Sequence, residues 1–86
     1  MNIEVATAKL EAWVAQFRKH LELGRTVVLN HGRRYSKFKS KHKDAVRING
    51  VHLECQYGSG WARFAYVTEI EGNAVVCLLC KVEVLA

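Results

Sequence analysis

The sequence predicts an α+β protein: an N-terminal amphipathic helix packed on one face of a four- to five-stranded antiparallel meander sheet, with scope for strong bending or barrel-like closure. Three observations predict it. Apolar residues recur at helical spacing through the first twenty-odd residues. From Arg25 onward the pattern alternates with period two. Three glycine-containing turns then divide the alternating stretch into runs of strand length.

The helix is predicted over about residues 3–23. Ile3, Ala6, Leu10, Trp13, Phe17 and Leu21 are spaced alternately by three and four, which places them on one stripe, and Val14 widens it. Asn2 is a suitable N-cap and Glu4 suits the first turn. Arg18, Lys19 and His20 suit the opposite pole of the dipole, and Gly24 is a stop. As the chain's one evident helix, its apolar stripe is expected to form core rather than a docking face.

Strands are predicted at about 26–30, 45–48, 51–57, 62–70 and 74–84. Asn49-Gly50 suits a two-residue hairpin turn that would set Ile48 opposite Val51 and Arg47 opposite His52. Ser59-Gly60 would set Tyr57 opposite Ala62 and Cys55 opposite Phe64. A three-residue turn, Glu71–Asn73, would set Ile70 opposite Ala74 and Phe64 opposite Cys80. A slip of one residue in any hairpin sends a strand's apolar set to the other face. In this register Ala65, Val67, Val75, Cys77 and Leu79, with Trp61 nearby, gather on the sheet face away from the helix. That face is a candidate surface for self-association or a partner, and a homodimer is the expectation it raises.

Residues 33–44 are predicted as a basic arm, extended and partly ordered. They can also be read as an edge strand folded back onto 26–30 through His31-Gly32, as a helical segment with Tyr35, Phe38, His42 and Ala45 near helical spacing, or as a mobile loop. With Arg47, the arm carries Arg33, Arg34, Lys37, Lys39, Lys41 and Lys43 against one acid, Asp44. The rest of the chain holds six cations and seven acids, so this segment supplies the whole net charge of +5. Cations so concentrated can neutralise several phosphates. Tyr35 and Phe38, threaded among them, have the chemistry to stack on unpaired bases.

Eighty-six residues without proline or an internal linker make one domain near the lower size limit for a self-sufficient core. No signal peptide or apolar run of membrane length is evident, since charges interrupt the first twenty-three residues. Three cysteines, an odd number, then suit reduced thiols and a cytoplasmic setting. Cys77 and Cys80 resemble a metal or redox spacing. Inside one unbroken strand, however, they would point to opposite faces, and Cys55 would lie two strands from Cys80. No metal and no cofactor are therefore expected.

The four histidines show no metal-ligating spacing. His52 stands out, because Glu54, Arg47 and Arg63 fall near it on the outward face. A carboxylate and an imidazole flanked by arginines have the chemistry to cleave RNA: one takes the 2′-hydroxyl proton and the other protonates the leaving oxygen. The bland alternative is four polar residues on a wet sheet face. The leading expectation is a non-enzymatic module that holds nucleic acid, preferably RNA or single strands, through Arg33–Arg47. The alternative is a small adaptor or inhibitor, of the kind phages and mobile elements encode, docking the same cations on an acidic protein surface. A small ribonuclease is third.

Overall fold

The computed structural model describes the whole chain, Met1–Ala86. It begins with the predicted helix, α1 (Ile3–Glu22), capped by Asn2, whose Oδ1 accepts a hydrogen bond from the Glu4 amide at 2.7 Å. After the last turn Gly24 takes a positive φ of 79°, and the chain reverses. Ala6, Leu10, Val14, Phe17 and Leu21 are buried and Trp13 partly so, while Ile3 at the helix start stays exposed. The stripe is core, as its spacing predicts.

Seven strands follow, more than predicted. They are β1 (Thr26–Asn30), β2 (Tyr35–Phe38), β3 (Val46–Asn49), β4 (His52–Tyr57), β5 (Gly60–Ile70), β6 (Asn73–Leu78) and β7 (Lys81–Leu85), with a single 3-10 turn at Ser40–His42. They form two antiparallel sheets, ordered β2-β1-β7 and β3-β4-β5-β6, which do not close into a barrel. The two extra strands have separate causes. A third of the basic arm becomes β2, and the predicted last strand breaks in two. At Leu79–Cys80 the chain leaves β5 and turns to pair with β1, so β7 is the third strand of the other sheet. The Leu79 amide still donates to the Phe64 carbonyl at 2.8 Å across the break. The run Cys77–Cys80 therefore spans a bend instead of lying in one straight strand.

All three hairpins adopt a register other than the one predicted. The first turns at Gly50-Val51, which pairs Ile48 with Leu53 and Arg47 with Glu54. Gly50, at φ 63°, takes the first central position, where a positive φ is required. The two-residue shift preserves the faces and sets the Arg47 cation opposite the Glu54 carboxylate. The second hairpin turns at Gly58-Ser59 and pairs Cys55 with Ala62, and the register then shifts between Leu53 and Glu54. Leu53 faces Ala65 while Glu54 faces Arg63, so Phe64 is the extra residue of a β-bulge. The third has a two-residue turn, Glu71-Gly72, with Ile70 opposite Asn73 and Tyr66 opposite Cys77.

The bulge inverts the faces of β5. Phe64 and Ala65 are consecutive and both fully buried, and beyond them Val67 points inward. Their core neighbours are Leu53 and Cys55 of β4, Val27 and Leu29 of β1, Phe38 of β2, and the helix. Trp13 stacks with Phe17 at 6.0 Å and tilts against Phe64 at 5.2 Å, and Phe17 meets Phe38 edge-on at 5.7 Å. These aromatic pairs join the helix to both sheets.

Candidate functional site

The predicted arm is built into the fold. Loop 31–34 is held by the His31 amide donating to the Arg34 carbonyl at 2.8 Å and the Gly32 amide donating to Asn30 Oδ1 at 2.8 Å. β2 pairs with β1, setting Lys37 opposite Val28 and Tyr35 opposite Asn30. Strand alternation then sorts its residues. Ser36 and Phe38 are buried, while Tyr35 and Lys37 face out. Phe38 is thus core, packed against Phe17 and the His42 ring, and is withdrawn from the predicted stacking role. Tyr35, 62% exposed, remains available.

After β2, the 3-10 turn presents Lys39, Lys41 and Lys43 to solvent. It is secured by the Lys39 amide donating to His42 Nδ1 at 2.9 Å, and by Arg18 Nε of the helix donating to the Lys43 carbonyl at 3.2 Å. Arg33, Arg34, Lys37, Lys39, Lys41 and Lys43 are all exposed, and none forms an ion pair. Asp44, the segment's one acid, is met by Arg18 at 3.8 Å rather than by a lysine of the arm. Arg34 lies over the Tyr57 ring, its guanidinium carbon 4.4 Å from the centroid, and donates to the Tyr57 hydroxyl.

Lys81 is an addition that the sequence did not reveal. It pairs with Asn30, which also faces Tyr35, so Tyr35 and Lys81 flank one position on the outer face of β2-β1-β7. Only the pairing of β7 with β1 makes them neighbours, and no local pattern announces it. In the next row Lys37 and Glu83 flank Val28, which is 4% exposed although it faces away from the main core. The stems of long charged side chains supply such cover.

Arg47 stands apart from this surface. It lies on the outer face of the other sheet, where Arg47, Glu54 and Arg63 follow one another across β3, β4 and β5. Arg47 Nε donates to Glu54 Oε1 at 2.8 Å, Arg63 approaches Oε2 at 3.8 Å, and Asn49 donates to Oε2 at 3.3 Å. The Arg47 guanidinium also covers the Trp61 ring at 4.1 Å. Glu54 is 7% exposed. The Arg47 hydrogen bond holds its carboxyl below the ordinary range against the opposing effect of burial, aided by Asn49 and the charges of Arg47 and Arg63. His52, two residues along, faces Asn49 and Tyr66 and makes no hydrogen bond to Glu54. The four residues read as a catalytic constellation thus share one face, with the carboxylate already committed to Arg47.

The predicted self-association face does not survive the bulge intact. Ala65 and Val67 are buried in the core. Val75, Cys77 and Leu79 remain at least partly exposed, and Trp61 lies under Arg47. The three cysteines are free thiols. Burial pushes Cys55 up, and burial together with the nearby Cys55 pushes Cys80 up, which disfavours the reactive thiolate in both. No three histidine, cysteine or acidic side chains gather as metal ligands, and no helix is long and apolar enough to cross a membrane.

Fold and site together define a class: a small α+β protein whose basic surface is carried on an edge strand and the turns flanking it. No family model, curated protein or solved structure matches the chain.

Proposed function

We propose that the chain binds a polyanion, with single-stranded nucleic acid or RNA as the favoured class, on the surface formed by Arg33, Arg34, Tyr35, Lys37, Lys39, Lys41 and Lys43. The observation that carries this reading is the lack of internal compensation: six exposed cations with no carboxylate partner, in a segment held by backbone hydrogen bonds to its neighbours. A pre-ordered cationic surface loses little conformational entropy on binding, and its gain comes from counterion release. Tyr35 supplies one aromatic platform and Lys81 extends the charge across the sheet.

The test is a salt titration of binding to a random single-stranded oligonucleotide. Each phosphate contact contributes a slope of about −0.7 in log K against log salt, so engagement of most of these cations gives roughly −3 to −4. Reversing Lys37, Lys39 and Lys41 to glutamate should abolish retention, and a salt-independent affinity would overturn the reading. An acidic protein surface is the second reading, and one observation favours it: with Phe38 in the core, Tyr35 is the one aromatic of the basic segment left to recognise bases, and the neighbouring Tyr57 ring is covered by Arg34. Tighter binding to polyglutamate than to an oligonucleotide of equal charge, and indifference to Tyr35→Ala, would select it.

A further inference from the structure

The edge of β3 is open, and its surroundings complement themselves. β3 has β4 as its sole strand neighbour. The Ala45 carbonyl accepts from the Gln56 amide at 2.8 Å, so by alternation Arg47 and Asn49 also turn their backbone groups toward β4. The N–H and C=O groups of Val46 and Ile48 therefore point to the free side, where no partner meets them. Along that side runs a groove of about 500 Å³ between β3 and α1, with Val14, Ala15, Val46 and Ile48 among its lining residues. Three charged residues line it. Glu11 lies toward one end and Arg18, two helical turns away, at the other, where it bonds the Lys43 carbonyl and lies 3.8 Å from the exposed Asp44. The third, Arg47 of β3, turns to Glu54.

Edges of this kind are normally guarded by proline, a bulge or an uncompensated charge. β3 has neither proline nor bulge, since the irregularity falls in the β4–β5 pair. Its one charge, Arg47, leans over its own sheet toward Glu54 and Trp61 and is neutralised there. The β2 edge differs, because Lys37 is unpaired and Lys39 follows it. At β6, the other edge of the same sheet, α1 packs more extensively than against any other strand.

We propose that β3 pairs antiparallel with β3 of a second copy of this chain, joining two four-stranded sheets across a two-fold axis near Arg47. Val46 of each copy then faces Ile48 of the other, and these are the residues whose backbone groups are free. The same axis brings the Glu11 end of one groove to the Arg18 end of the other, so those charges match twice, while Arg47 comes opposite its own copy with each guanidinium held back by its own Glu54. Such an isologous contact is self-complementary and closes at two subunits. It does not involve the basic surface of β2 and stands or falls apart from the polyanion reading.

Sedimentation velocity across a micromolar concentration series tests it. The wild-type chain should approach twice its formula mass, while E11R and R18E should each weaken dimerisation roughly tenfold or more. An equimolar mixture of the two variants should recover the dimer, because each supplies the charge that the other lacks. A wild-type chain that stays monomeric overturns the proposal. So does a dimer that neither reversal affects, since its interface must then lie elsewhere. Glu11 is exposed and makes no hydrogen bond or ion pair within the fold, so E11R alone decides the matter should R18E fail to fold.

Discussion

Glu54 shows how one carboxylate can organise a sheet face. It is nearly enclosed, yet it accepts from two side chains and lies between two guanidinium groups. Because its folded-state pKa lies below the ordinary value near 4.5, its stabilising contribution is fully present above that value. The contribution is lost as pH falls through the lower, folded-state value. Acid titration of thermal stability should therefore show a component that Glu54→Gln lacks, with the variant less stable at neutral pH, where Arg47 loses its anion. Identical acid limbs in the two proteins would refute that role. Phe64 is the apolar counterpart. Fully buried against Trp13 at the bulge, its replacement by alanine should cost about 3–5 kcal/mol in chemical denaturation.

At the scale of elements, the helix behaves as its spacing predicts because a single 3.6-residue period decides which face is buried. Hairpins are less determinate. Each of the three candidate turns contains a glycine that two or more turn placements can use. The structure uses Gly50, Gly58 and Gly72 in two-residue turns that differ from the predicted ones. A shift of two residues leaves the faces alone, so the Arg47–Glu54 face is recognisable in the sequence even though the predicted pairing is not the observed one. The bulge at Phe64 has the opposite effect, and for that reason Ala65 and Val67 change sides. The β5–β6 turn retains a detectable strain. Glu71 holds φ at 52°, a left-handed conformation costly for a side chain of its type. Glu71→Asn should stabilise the protein by about 0.5–1 kcal/mol in urea titration. An unchanged midpoint would show that the turn is not held in this geometry.

For the molecule as a whole, the decisive feature is the division of charge between two sheet faces. On β3-β4-β5 two arginines share the one carboxylate of Glu54; on β2-β1-β7 and the turns beside it, the cations have no carboxylate partner. Salt dependence is therefore expected for ligand binding and much less for folding. Added salt should weaken oligonucleotide retention steeply without lowering the thermal midpoint, because Glu54 is nearly enclosed and, among the exposed lysines, screening has only mutual repulsion to relieve. A midpoint that falls in step with binding would mean that the basic surface contributes to the fold itself.

The sequence by itself determined the α+β class, the helix with its cap and buried stripe, the presence of hairpins and the concentration of positive charge in one segment. Each is encoded by neighbours along the chain, through periodicity, turn chemistry or simple count. Tertiary structure alone decided that the last strand would bend at Leu79–Cys80 to join β1, that Phe38 would enter the core while Tyr35 stayed outside, and that Arg47 would be claimed by Glu54. Those outcomes depend on pairings between distant residues. Several registers satisfy the local rules about equally, and the choice among them falls to the packing of Phe64, Ala65 and Val67 beneath the helix.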